Sequence, residues 1–202
     1  MSVVVAAKYR DGIAVAADKQ ATKYNTCFDN ACKLHNFKYS NSVIGTVGCL
    51  RDCNVIRLLE EVISYKDLID NVPVDELYVI GKIVPTIQEH MAKHERIETH
   101  NGLKSMPSTM LYATPNDIYI IAHDFAVITE HNYGTIGCGD EKVIGYMSLV
   151  GDTSKYNREQ ITTVLVEAIT RACERDVFIN DNIDIIYLEK DKGGRNENKN
   201  IR

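Results

Sequence analysis

The chain is short of positive charge: 23 Lys and Arg stand against 28 Asp and Glu, a net −5 over 202 residues. Proteins that hold nucleic acid by releasing phosphate counterions carry a basic surface, so no nucleic-acid partner is expected. There is no apolar run of about 18 residues, the length a helix needs to cross a bilayer, so no membrane partner is expected either. No positively charged stretch leads into a long apolar core, so no signal peptide is expected at Met1-Ser2-Val3-Val4-Val5. Without such a leader, Cys27, Cys32, Cys49, Cys53, Cys138 and Cys173 read as reduced thiols of a cytoplasmic protein rather than a disulfide set. No CxxC pair supports zinc, no glycine-rich phosphate loop is present, and no internal repeat recurs.

What is present is an ordinary globular balance, 45% hydrophobic and 25% charged. A chain of this length buries roughly 70% of its unfolded surface and needs neither metal nor disulfide to fold. We expect one domain over residues 1–188 and a charged tail over 189–202.

Apolar, β-branched Val3 to Ala7, the turn Arg10-Asp11-Gly12 and apolar Ile13 to Ala17 predict a hairpin. Lys33 to Tyr39 and Ser42 to Val47 predict a second strand pair. Val55, Leu58, Leu59 and Val62 recur at helical spacing, which predicts a helix over Leu50 to Tyr65. Asp75 is a candidate N-cap for another, with Leu77, Ile80, Val84, Ile87 and Met91 on one side and Pro85 expected to kink or split it. Strand-like runs return at Met110 to Ala113, Ile118 to Ala122 and Ala126 to Thr129. Asn157 and Gln160 resemble a capping box opening a helix with the stripe Ile161, Val164, Leu165, Ala168, Ile169 and Ala172. Ile183 to Leu188 predicts a last strand. Strands and helices are grouped rather than alternating, which favours antiparallel sheets with segregated helices, an α+β class.

Several residues carry candidate chemistry. Methionine is normally removed before a small residue, and removal of Met1 exposes Ser2. An α-amine has a pKa of about 7.7–8.0, so it can act as a base near neutrality where lysine cannot. An N-terminal serine therefore joins nucleophile and base in one residue. Asp18 closes an apolar strand, a fitting partner for a buried cation, and Lys33 opens the next strand pair. A lysine beside the amine lowers the amine's pKa, while Asp18 holds the lysine charged. Gly45-Thr46-Val47-Gly48 leads from strand to helix, where a glycine N–H can face an oxyanion. Cys138, in Ile136-Gly137-Cys138-Gly139, fits either a support for the amine or an inert buried thiol. His90 and His94 share a helix face, but a zincin site needs Glu where Met91 stands, so neither they nor His100 are assigned to a metal.

These residues, in this order, resemble the proteasome β-type subunits and most closely the HslV peptidase, within the N-terminal nucleophile hydrolases. The resemblance runs from Ser2 to about Leu188 through Ala17-Asp18, Gln20-Ala21-Thr22, Asn30 to Lys33, Val43 to Gly48, Ile136 to Gly139 and Arg175-Asp176. It implies a four-layer α/β/β/α sandwich of two antiparallel sheets. It implies Ser2 as nucleophile where the family normally has threonine, Asp18 and Lys33 as the pair that tunes the amine, and the Gly48 N–H as oxyanion donor. Cys138 and Asp176 match supporting groups, and Thr46 matches a residue lining the substrate pocket. Departures are Ser2 without the rotamer-fixing methyl, Cys138 for serine, Cys49 for a glycine, Lys19 for a small residue and Ile179 for a serine. The interval from Asp18 to Lys33 is also one residue short. The resemblance further implies six- or seven-membered rings of this chain stacked in pairs, an ATP-dependent unfoldase and peptide or unfolded-protein substrates. It implies no cofactor, although relatives sometimes hold a monovalent cation through carbonyls after the last helix, here Asp176 to Asp181. An inactive ring subunit of the same fold and a small-molecule amide hydrolase are the alternatives.

Overall fold

The computed structural model describes residues 2–23, 26–37, 39–174 and 176–190. Met1, whose removal is expected, Arg175 of the Arg175-Asp176 pair and residues 191–202 of the expected tail lie outside the described residues.

Strands β1 (Val3–Tyr9) and β2 (Gly12–Asp18) form the expected hairpin, followed by a small hairpin of β3 (Ala21–Lys23) and β4 (Thr26–Phe28). β5 (Leu34–Phe37) and β6 (Ser42–Val47) pair next, then come α1 (Leu50–Ile56), α2 (Tyr65–Ile69) and α3 (Glu76–Tyr78). A π-helical turn over Val79–Ile83 leads into α4 (Val84–Lys93). A second small hairpin, β7 (Glu98–His100) and β8 (Leu103–Ser105), precedes β9 (Thr109–Ala113), β10 (Ile118–Ile121), β11 (Val127–Glu130) and β12 (Tyr133–Gly137). The chain closes with α5 (Asp140–Val150), α6 (Arg158–Cys173) and β13 (Ile183–Glu189).

Two antiparallel sheets result, in the orders β12-β1-β2-β13 and β11-β10-β9-β6-β5. The alternation of side chains along each strand sorts the core into three layers of contact. Val3, Val5 and Ala7 of β1 face α5 and α6, meeting Met147, Leu165 and Ile169. Val4 and Ala6, one residue out of phase, face the other sheet and meet Val43, Leu111 and Ile118. On the far side, Ile44, Met110 and Tyr112 pack against Ile56, Ile87 and Met91 of α1 and α4. The fold is thus the expected α/β/β/α sandwich. The unbroken apolar run of β1 is explained by burial on both faces.

The helices of the first layer depart from expectation. α1 stops at Ile56 rather than Tyr65, and the chain leaves it through tight turns in which Leu58 and Leu59 donate to Val55 and Ile56. Acidic Glu60 and Glu61 would lie at the negative end of a longer helix dipole, and Ser64 instead caps the new helix α2. Leu58, assigned to the buried stripe, is exposed, while Leu59 and Val62 remain buried. Asp75 does cap α3, its carboxylate accepting from the Tyr78 N–H at 2.9 Å. The π turn then shifts the helical phase, so Val79 and Ile83 are buried in place of Leu77 and Ile80. Pro85 follows that π turn at the second position of α4, so the helical stretch is divided beside the proline as expected. The capping box of α6 forms in both directions at 2.9 Å, and its whole predicted stripe is buried. β12 and the four short strands β3, β4, β7 and β8 were not expected from the sequence. β13 runs one residue past Leu188, with Glu189 opposite Gly12.

Candidate active site

Ser2 sits immediately before β1, between two strand neighbours. On one side β2 ends at Asp18. On the other, β12 ends at Gly137, which pairs with Val3. The Cys138 N–H donates to the Ser2 carbonyl at 2.9 Å, and the Cys138 thiol points at the same oxygen at 3.5 Å. Gly137 has φ +114°, and a Cβ there would fall 2.0 Å from the Ser2 carbonyl oxygen. Only glycine lets the two backbones approach so closely.

Asp18 is fully buried at the end of β2. Its Oδ1 accepts from the Val3 N–H at 2.8 Å and from Lys33 Nζ at 2.7 Å; its Oδ2 accepts from the Gln20 N–H at 3.0 Å. The carboxylate therefore links the residue after Ser2 to the lysine side chain. Burial pushes the Lys33 pKa down, and the charge and hydrogen bond of Asp18 oppose that shift. Ser2, Lys33 and Gly48 together line a small hollow of about 40 Å³, with Gln20 and Cys53 on its wall. Burial raises the Cys53 thiol to about 12, against the pull of Lys33, so it stays a neutral thiol.

Gly48 follows β6 in the strand-to-helix turn with φ +115°. It and Ser2 also line a larger cleft of about 580 Å³, together with Val47, Thr135 and Cys138. Asp176 approaches from beyond α6. Burial would raise its pKa, but the Phe178 N–H at 3.0 Å, the Cys138 thiol and Lys142 at 3.7 Å outweigh burial and hold it low. The Cys138 thiol is pushed up, first by burial and then by its hydrogen bond to Asp176.

The structure thus brings together Ser2, Asp18, Lys33, Gly48, Cys138 and Asp176. It does not bring Thr46 to the wall of either hollow. Thr46 is 1% exposed, and alternation along β6 turns it with Ile44 toward the α1–α4 layer, while Val47 reaches the cleft. Among the described residues no group of three or more His, Cys, Asp or Glu could hold a metal. His90 is engaged with the Val55 carbonyl at 2.8 Å and with the His94 ring. After α6, the carbonyls of Asp176, Val177 and Ile179 already accept hydrogen bonds from Ile179, Gln20 and Cys173.

The proteasome subunit family matches residues 2–188, nearly the whole described chain. The chain belongs to that family. As a proteasome subunit it is a peptidase-type subunit, of the N-terminal threonine peptidase kind, in a family whose members assemble into rings. The crystal structure of eukaryotic HslV from Trypanosoma brucei matches it with a TM-score of 0.65 at 21% identity, over 93% of this chain and 99% of that one. At that identity the likeness is one of fold, the N-terminal nucleophile hydrolase fold. No curated protein sequence matches the chain.

Sequence reasoning missed Lys142, the Phe178 N–H and a buried group formed by Asp52, Arg96 and Ser108. Asp52 did carry a signal. It lies three, four and seven residues before Val55, Ile56 and Leu59, on the apolar face of its helix, where a carboxylate must find a partner.

Proposed function

We propose that this proteasome subunit cleaves peptide bonds with Ser2 as its N-terminal nucleophile once Met1 is removed. The observation that carries the reading is the placement of Ser2 where the Asp18–Lys33 pair and the Gly48 turn meet. In this mechanism the Ser2 amine takes the proton of its own hydroxyl, directly or through a water. The alkoxide attacks the substrate carbonyl, and Gly48, which lines the cleft, offers its N–H to stabilise the tetrahedral oxyanion. The protonated amine gives its proton to the leaving peptide amine, and an acyl ester forms on Ser2. Water, deprotonated by the same amine, then attacks the ester and frees the acid.

Around this, Lys33 supplies a fixed positive charge that disfavours protonation of the amine, and Asp18 holds that charge in place. Cys138 and Asp176 brace the Ser2 backbone and the amine. Thiol hydrogen bonds are weaker than hydroxyl ones, and serine lacks threonine's methyl, so slow turnover is expected. We further propose that the chain works as stacked rings of six or seven copies in the cytoplasm, fed unfolded protein by an ATP-dependent unfoldase. The ring habit of the family and the large apolar side chains left on the surface, such as Leu77, Leu149 and Val177, support assembly.

The test pairs intact-mass measurement with peptidase assays on an unfolded protein and on short fluorogenic peptides. Loss of Met1, activity in the wild type and none in Ser2→Ala are expected. Retained Met1 with no cleavage points instead to an inactive ring subunit, and full activity in Ser2→Ala overturns the mechanism. Cleavage of a non-peptide amide by a monomer or dimer points to a small-molecule hydrolase.

A further inference from the structure

Behind the Gly48 turn lies a buried charge that the mechanism above does not use. Asp52, in the first turn of α1, is fully buried. Arg96, from the connection after α4, donates its Nε–H to Asp52 Oδ1. Ser108, from the residue before β9, donates its hydroxyl to Asp52 Oδ2 at 2.6 Å. The same Ser108 oxygen accepts the Cys49 N–H at 3.0 Å. Cys49 is the N-cap residue of α1, and its own side chain makes no capping hydrogen bond.

We infer that Asp52, Arg96 and Ser108 are positioning residues that hold the Gly48–Cys49 peptide and, together with the strand pairing of Val47, fix the direction of the N–H in the preceding Val47–Gly48 peptide. The polarity of the chain is set from its charged end. The Arg96 guanidinium holds Asp52, and the Asp52 carboxylate accepts the hydrogen bond of the Ser108 hydroxyl. The hydroxyl oxygen is then left to accept from Cys49 with both of its roles determined. On the other side of Gly48, Val47 pairs with Thr109, the neighbour of Ser108. The turn is therefore clamped at both ends by one short segment, residues 107–109. Contact is tight across it: a Cβ on Gly48 would lie 2.7 Å from the Pro107 carbonyl oxygen and 2.9 Å from Ser108 Oγ. An oxyanion donor acts only when aimed before the reaction begins, and a misaligned one costs turnover without weakening ground-state binding. The catalytic half of this inference rests on the proposed peptidase reading; the structural half does not.

The experiment uses the full-length chain and the variants Ser108→Ala and Asp52→Asn, at a temperature where each is fully folded. Hydrogen exchange of peptides spanning Val47 to Asp52, resolved to the Cys49 amide, reads the clamp. Peptidase kinetics read its consequence. In Ser108→Ala the Cys49 amide is expected to exchange faster by about fivefold, as for the loss of one ordinary hydrogen bond, with exchange in β1 and α6 unchanged. kcat is expected to fall about 10–100-fold with KM within about twofold. Asp52→Asn, which leaves the Ser108 hydroxyl without its charged acceptor, is expected to move both readouts in the same directions. Unchanged Cys49 exchange in Ser108→Ala overturns the clamp whatever the kinetics show. Faster exchange with an unchanged kcat, or a change in KM alone, overturns the positioning role. A wild type with no peptidase activity but a working clamp overturns the proposed function, and with it the catalytic role of the three residues.

Discussion

Lys33 Nζ lies 2.7 Å from Asp18 Oδ1, and both side chains are almost wholly out of water, at 3% and 0% exposure. A buried pair of this kind is costly to break, because the survivor keeps its charge and loses its partner. Lys33→Met is expected to destabilise the fold by about 3–5 kcal/mol, read from chemical denaturation. Lys33→Met combined with Asp18→Asn removes the orphaned charge and keeps one oxygen for either the Val3 or the Gln20 N–H, while its NH2 faces the other, so it is expected to recover part of that stability. It is expected to recover no peptidase activity. A double variant that regains activity would show that the pair serves the fold alone.

Two glycines give opposite expectations. Gly137→Ala places a methyl 2.0 Å from the Ser2 carbonyl oxygen at φ +114°, so it is expected to cost more than about 1 kcal/mol and to abolish activity by displacing Ser2. Gly145, inside α5, has nothing within 4 Å of an added Cβ. Gly145→Ala is expected to raise stability by up to about 1 kcal/mol, the helix-propensity gain, with activity unchanged. Thermal melts and assays of both variants check the contrast.

Asp176 carries a pH dependence with a definite sign. Its folded pKa is held below 3.8 by Phe178, Cys138 and Lys142, against burial. A carboxyl with a depressed folded pKa contributes stability that is fully present above its unfolded pKa and lost as pH falls through the folded one. Denaturation midpoints of the wild type are therefore expected to drop as pH falls below 3.8. Asp176→Asn is expected to have the lower midpoint above that pH and a shallower acid limb below it. Parallel acid limbs in the two proteins would remove Asp176 from this role.

The capping box of α6 serves as a control remote from the chemistry. Asn157→Ala removes the acceptor of the Gln160 N–H and is expected to cost about 1 kcal/mol with kcat and KM unchanged. A fall in kcat would mean that α6 transmits strain to Asp176 at its far end.

The amphipathic helix α6 was legible in full because its cap and its stripe are local patterns, each decided within a few residues. The β1–β2 hairpin was legible for the same reason. α1 was overextended because periodicity continues through Leu58 to Val62, while the helix itself ends at Ile56. Hydrophobic spacing reports burial, and Leu59 and Val62 are buried without being helical. The strand β12 was missed because Gly134 and Gly137 interrupt its pattern, and those glycines are needed where other backbones and side chains press against it.

The sequence by itself determined which groups were available for chemistry: a serine after the first methionine, an acid ending an apolar strand, a lysine opening the next and a glycine before a helix. It also determined the family, through the order and spacing of those pieces. Only the tertiary structure decided that Asp18 reaches Lys33, that Gly137 and Cys138 close on Ser2, and that Thr46 turns away from the cleft. The same holds for Ser108, 56 residues beyond Asp52 in sequence and 2.6 Å from it in space. Such contacts depend on strand register and on the stacking of two sheets, which no local pattern encodes. A shift of one residue in β6 or β9 would exchange the side chains facing the other sheet with those facing the helices, and close packing of differently shaped side chains in the two layers resists that exchange.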